Sequence, residues 1–296
     1  MPLQFELCPG RMIGGSHPCF IIAEIGQNHQ GDIEIAKKMI KMAKDCGADC
    51  AKFQKSELEY KFSKRALERP YNSKHSWGKT YGDHKRHLEF SHDQYRELKK
   101  YAEDIGIFLT ASGMDEESFI TSDTFLAYPL DPKDVNLSVI RKYQEEFPDV
   151  PIGYSGHEKG IYITVAAVAM GANVVERHVT LDKTWKGNDH EASLEPSELV
   201  ELVRAIRLVE TAMGSPVKQM LPCEKTCHDK LGKSVIAKVK IPKGTVLSLD
   251  MFAVKVGEPK GIPPEHMQQL VGKKIKVDVE EDDSILPLAW MRYKKK

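Results

Sequence analysis

Apolar positions along the chain change period again and again, and the changes mark alternating strands and helices. FIIAEIG (20–26) is a nearly continuous apolar run closed by a glycine, as a buried strand requires, with Glu24 near its carboxyl end. From Asp32 the period becomes helical. Ala36, Met39, Ile40, Ala43 and Cys46 form one apolar face, Asp32 caps its start and Gly47 ends it. ADCAKFQ (48–54) and IFLTASG (107–113) are the next strands. Before the second of these, Ser91 and Gln94 make an S-x-x-Q capping box for a helix whose inner face is Tyr95, Leu98, Ala102 and Ile105.

After residue 113 the rhythm breaks. MDEESFITSDT is too short and too polar for a crossover helix followed by a strand, and TFLAYP (124–129) reads as a short strand. A helix is predicted from about Asp134 to Phe147. Strands at 151–155 and 172–179 then flank the apolar helix in EKGIYITVAAVAM. Pro196 opens a last amphipathic helix, with Leu199, Leu202, Val203, Ile206 and Val209 inward. Six strands alternating with helices predict a parallel α/β sheet or barrel. A closed (β/α) barrel needs eight strands and usually about 250 residues, so this one lacks about two βα units, between residues 113 and 125. The expected organisation is an incomplete barrel over 1–216, a linker over 217–231 and a small β-rich domain over 232–296, whose short extended pieces are broken by Pro and Gly.

Candidate chemistry gathers between residues 151 and 196. Strand–helix–strand in so short a span is a βαβ unit, which places His157 and His178 side by side at the carboxyl ends of parallel neighbours. Two adjacent imidazoles can share one divalent metal. A histidine at a strand end is otherwise an ordinary hydrogen-bonded residue, and spacing alone does not separate the two readings. Lys52 lies inside a strand. With its stem buried and its amine at the barrel mouth it suits a phosphate or carboxylate; on an outer face it has no such role. Residues 56–90, rich in Lys, Arg, His, Tyr and Trp, read as a flap over an active site or as a solvated excursion.

Lysine plus arginine and aspartate plus glutamate number 43 each, which argues against nucleic acid as the main partner. No apolar run reaches the ~18 residues of a membrane span, and no secretory leader is seen, so a cytoplasmic protein is expected. The six cysteines fit free thiols in a reducing compartment; Cys223, Cys227 and His228 also admit a zinc site.

AEIGQNHQGD, CAKFQKSE, HSWGKTYGDHKRHLEFSHDQY, GYSGHEKG, ERHVTLDKTWKGNDHEASLEP and LGKSVIAKVKIPKGT together resemble the sialic acid synthases. The resemblance covers residues 1 to about 114 and about 126 to 284. It implies a TIM-type barrel joined to an antifreeze-like (SAF) domain, in a homodimer with swapped SAF domains. It also implies condensation of phosphoenolpyruvate with N-acetylmannosamine 6-phosphate, releasing phosphate, with Mn2+ or Mg2+. By matching position, His157 and His178 hold the metal and Glu24 is an active-site carboxylate. Lys52 and Ser155 contact phosphoenolpyruvate, Tyr128 lines the pocket and Asp189 contacts sugar hydroxyls.

The chain also departs from the family. The K-x-G-S-G motif, the acidic residue after it and the S-S-G-M or S-T-G-M motif are absent, and C-T-x-x-Y-P survives only as FLAYP. Where bacterial relatives carry K-R-P-G in the small domain, this chain has KVGEP (255–259), leaving Lys255 or Lys260 to replace the arginine. The tail ILPLAWMRYKKK is unlike the family's. A truncated synthase with impaired or no catalysis, retaining metal binding or dimerisation, is the second expectation.

Overall fold

The computed structural model describes residues 4–113 and 130–289. The chain divides into two units between Gly214 and Ser215. The first opens with an antiparallel hairpin that the apolar pattern did not announce, β1 (Gln4–Cys8) and β2 (Arg11–Gly14). Strands and helices then alternate: β3 (Phe20–Gly26), α1 (Ile33–Asp45), β4 (Cys50–Lys55), three short helices α2 (Leu58–Lys61), α3 (Lys64–Glu68) and α4 (Tyr81–Leu88), then α5 (His92–Ile105) and β5 (Phe108–Gly113). After residue 130 come α6 (Ser138–Glu146), β6 (Gly153–Gly156), α7 (Tyr162–Ala169), β7 (Val174–His178) and α8 (Pro196–Met213).

The five strands β3 to β7 form one parallel sheet in the order β5-β4-β3-β7-β6. Every residue of central β3 except Ile22 is buried, as expected for a parallel strand covered on both faces. The expected strand 124–129 lies outside the described residues. Leu130, just after it, bridges Glu158 in parallel sense, and its N–H donates to the His157 carbonyl at 3.0 Å. Among the described residues the sheet is therefore a barrel arc rather than a closed ring.

Ile21, Ala23 and Ile25 of β3 pack outward against Met39 and Ile40 of α1 and Leu199, Leu202 and Ile206 of α8, all fully buried. Each such side chain contributes about 1.5–3 kcal/mol of burial. On the sheet's other face, near the strand starts, Phe20 and Cys50 pack with Ile13 of the hairpin. The apolar plug leaves the opposite, carboxyl-terminal end for polar side chains.

The local signals act as their chemistry requires. The Asp32 carboxylate accepts from the Glu34 and Ile35 amides, and the Ser91–Gln94 capping box closes in both directions. The helix expected from Asp134 starts later, at Ser138. Asn136 takes a left-handed φ of 59°, so Pro132–Asp134 forms a separate 3-10 turn. In the 56–90 stretch Leu58, Leu67 and Leu88 are buried, so it packs through anchors too widely spaced to give a period.

The second unit places α9 (Lys225–Leu231) where a linker was expected, followed by the antiparallel pair β8 (Ser234–Ala237) and β9 (Phe252–Lys255). It has its own core, including Val235, Ile241, Leu247, Leu270 and Ile285. Lys255 pairs with Asp282, and Lys260 donates to the His228 carbonyl at 3.1 Å. All six cysteines are free.

Candidate active site

Strand register assembles the site. Glu24 on β3 stands opposite Lys52 on β4 and opposite His178 on β7, so the three side chains share one level at the carboxyl end of the sheet. One level below, Ser155 on β6 stands opposite Glu176 on β7. Residues two apart on a strand share a face, so Glu176 and His178 point the same way. The parallel pairing of β6 with β7 brings the rings of His157 and His178 to 5.6 Å between centroids, tilted by 45°.

Lys52 is the electrostatic centre. Its ammonium lies 2.7 Å from Glu176 Oε2 and 3.1 Å from Glu24 Oε2. Burial works against this ammonium, but the two glutamates more than offset it and its pKa is raised. Ser155 Oγ donates to the other Glu176 oxygen at 3.3 Å. Lys52 is thus bracketed by two carboxylates, and an anionic ligand must share it with them. Glu24 is the opposite case. It is fully buried, and neither of its oxygens accepts an aligned hydrogen bond among the described residues. Burial pushes its carboxyl up to about 8, helped by the Glu176 charge and opposed by Lys52. Burial thus favours the protonated form of Glu24 and the Lys52 ammonium favours the ionised one, so the two groups share their charge state.

Burial also lowers the pKa of both histidines. At His157 the neighbouring His178 adds to the effect, whereas at His178 the charges of Asp189 and Glu176 oppose it. Both rings are held neutral, the state in which imidazole binds a metal. Two neutral imidazoles this close are the residues that would hold a divalent ion. Among the described residues no further side chains complete a cluster of three or more metal-binding groups, so the donor set does not fit a closed structural site.

Gly26, at φ +55°, makes room for these groups. A Cβ there would lie 3.2 Å from Glu24 Oε1 and 3.2 Å from His178 Cε1. Behind the histidines is a buried ion pair. Arg177 faces away from the site and donates to Glu158 Oε1 at 3.0 Å, to Thr164 Oγ1 at 2.9 Å and to the Gly160 and Glu158 carbonyls. Tyr154 donates to the second Glu158 oxygen at 2.8 Å. These bonds tie the His157 turn to the strand carrying His178.

Asp189, whose charge acts on Glu24 and His178, lines a cavity of about 120 Å³ together with Gln27, Gln54, Trp77, Lys85 and Asn188. Tyr128 lies outside the described residues. Sequence reasoning missed Glu176 and Glu158. The two-residue spacing from His178 was enough to find Glu176. Glu158 reads as a loop residue, and only the fold shows that Arg177 reaches it.

The NeuB family matches residues 39–126 and 119–218, and the SAF domain matches 232–288. The N-acetylneuraminate-9-phosphate synthase of Homo sapiens is 61% identical over 346 residues, covering 97% of this chain and 96% of that one. The enzyme of the same name from Mus musculus is 59% identical over 356 residues, covering 100% of this chain and 99% of its own. Those 356 positions meet a chain of 296 residues, so about sixty positions of the relative have no counterpart here. The two NeuB matches overlap at 119–126, next to the break in the strand–helix rhythm. A solved N-acetylneuraminic acid synthetase from Leptospira borgpetersenii superposes with a TM-score of 0.65 at 25% identity, covering 77% of this chain and 96% of that one.

Proposed function

This chain belongs to the NeuB family of sialic acid synthases, and on that premise we propose that its barrel mouth condenses phosphoenolpyruvate with N-acetylmannosamine 6-phosphate. The products are N-acetylneuraminate 9-phosphate and inorganic phosphate. The observation that carries the reading is the level shared by Lys52, Glu24 and His178, with His157 beside it. Carbon 3 of the enol attacks the sugar aldehyde, the aldehyde oxygen takes up a proton, and water adds at carbon 2 as phosphate leaves. Glu24, whose carboxyl burial pushes up, is the group placed to give a proton to the aldehyde oxygen. Lys52 and Ser155 bind the anionic groups of phosphoenolpyruvate in part, and Glu176 sets the direction of both. Asp189 accepts hydrogen bonds from sugar hydroxyls.

His157 and His178 would hold Mn2+ or Mg2+, which supplies Lewis-acid polarisation of the aldehyde. A titration of Mn2+ into the whole protein tests this. His157→Ala should weaken binding by at least the ~10–100-fold typical of losses around a metal site. Unchanged affinity removes His157 from the metal.

The missing sixty positions favour a second reading of the rate. The family's absent K-x-G-S-G and S-S-G-M motifs belong to the phosphoenolpyruvate cradle, and Lys52, already shared with two glutamates, cannot surround a trianion with Ser155 alone. We therefore assign this chain impaired turnover, with metal binding or dimerisation the most that is retained. A homodimer with exchanged SAF domains and a cytoplasmic location complete the proposal. They are supported by the SAF match and the free thiols. Among the described residues no helix is long and apolar enough to cross a membrane.

A further inference from the structure

We propose that His75 is a positioning residue: with Lys186 it latches the 73–88 segment onto the loop that carries Asp189, and so sets where the Asp189 carboxylate stands at the barrel mouth. The inference rests on the proposed function, since it takes Asp189 and the histidine pair as parts of one site. On its carboxyl side Asp189 is anchored locally. Its carbonyl accepts from the Ser193 amide at 3.1 Å and from Ser193 Oγ at 2.7 Å, and the adjacent His190 is buried with Nδ1 2.7 Å from Thr180 Oγ1. On its amino side the loop is held from far along the chain. The Gly187 N–H donates to His75 Nδ1 at 3.0 Å, and the Lys186 ammonium donates to the Ser76 carbonyl. That ammonium also stands 4.6 Å from the centre of the Trp77 ring, which stacks on His84 and His87 of α4 at 5.6 and 5.2 Å.

The local chemistry suits a latch. A Cβ at Gly187 would lie 2.6 Å from His190 Cδ2, so glycine is the residue that can pass over the buried imidazole and turn its amide to His75. An imidazole accepts at Nδ1 only while that nitrogen carries no proton. Burial first, then the Lys74 and Lys186 charges, hold the His75 pKa below its ordinary value, against the pull of Glu191. The turn that presents the two acceptors is itself tied. Ser73 Oγ accepts the His75 amide at 3.1 Å, the Ser73 carbonyl accepts the Ser76 amide at 3.0 Å, and His84 Nδ1 accepts the Trp77 amide at 3.4 Å.

The latch acts on the site through charge. The Asp189 carboxylate reaches both Glu24 and His178 and raises the pKa of each. A carboxylate so placed also attracts a divalent cation held at His178, and the attraction falls as the two move apart. Trp77 from one side and Asn188 and Asp189 from the other wall the same cavity, so loosening the latch loosens the carboxylate.

Hydrogen exchange over residues 182–191 and calorimetric titration with Mn2+, both on the whole protein, test this in wild type, His75→Leu, His75→Asn, Lys186→Met and Asp189→Asn. His75→Leu and Lys186→Met each remove one tie and should speed exchange at residues 186–188 by roughly threefold to tenfold, the scale of one hydrogen bond. His75→Asn, whose side-chain oxygen can accept in place of Nδ1, should stay near wild type. His75→Leu should weaken Mn2+ binding by about twofold to fivefold. In the Asp189→Asn background it should have no such effect, because no carboxylate is left to misplace. Exchange unmoved by both His75→Leu and Lys186→Met overturns the latch. Equal loosening by His75→Leu and His75→Asn overturns the acceptor role of His75. A loosened loop with unchanged Mn2+ affinity, or a loss of affinity that persists beside Asp189→Asn, overturns the positioning of Asp189. A wild type that binds no Mn2+ overturns the proposed metal site and the action of the latch on it, and exchange then decides the latch alone.

Discussion

Substituting Gly26 by alanine displaces two proposed site residues without removing either. The cost has two parts. At φ +55° an alanine pays the left-handed penalty of about 1–2 kcal/mol. The new Cβ also meets Glu24 Oε1 and His178 Cε1 at 3.2 Å, so both side chains must give by a few tenths of an ångström. Gly10→Ala is the control. Gly10 has φ +77° with nothing within 4 Å of its Cβ, so it carries the strain without the contacts. Both variants should lose about 1–2 kcal/mol in urea unfolding. Only Gly26→Ala should weaken Mn2+ binding, by roughly threefold to tenfold. That is the expected share of the about hundredfold that a 1 Å misplacement costs a reacting group. Equal metal affinity in the two variants, at comparable stability loss, refutes the claim that Gly26 makes room for a metal-binding histidine.

Further expectations follow from buried charge and from domain structure. Glu158→Ala leaves Arg177 buried without its anion and should cost about 3–5 kcal/mol of stability in denaturant unfolding, with a loss under 1 kcal/mol counting against the ion pair. His29, stacked on Phe90 at 4.1 Å and accepting the Gly31 amide at Nδ1, is driven by burial down to about 3. A histidine with depressed folded pKa contributes stability above its unfolded value of about 6.5 and loses it as pH falls. Glu24, with raised pKa, acts in the opposite direction, so the comparison is wild type against His29→Phe. Their stability difference should move against wild type by about 2 kcal/mol between pH 8 and pH 5, and a flat difference contradicts the assignment. A fragment of residues 225–289, which holds its own core, should melt cooperatively; a non-cooperative melt contradicts an independent second unit.

The strands were legible because apolar runs bounded by glycine admit few alternatives, as FIIAEIG shows. Both N-caps were legible because an Asp or Ser just before a helical period has one use. The histidine pair could be read from a single βαβ unit, since parallel pairing fixes which residues become neighbours. Other features needed the third dimension. The β1–β2 hairpin carries too few apolar positions to show a period. The partners of Lys52 were not legible because nothing local shows that Glu24 and Glu176 arrive from two other positions in the sheet. Asn136 in a left-handed conformation moved a helix start that periodicity alone had placed four residues early.

Phosphate release from phosphoenolpyruvate, N-acetylmannosamine 6-phosphate and Mn2+ tests the central claim most directly. It should be measured side by side for this chain and for one with the sixty missing positions restored from a relative. The restored chain should turn over and lose activity on His178→Ala. The present chain should be slower by at least about a thousandfold, about 4 kcal/mol of transition-state stabilisation, while still binding Mn2+. Equal turnover in the two chains would show that the missing arc carries none of the phosphoenolpyruvate cradle, and the account of a retained but incomplete site would be wrong.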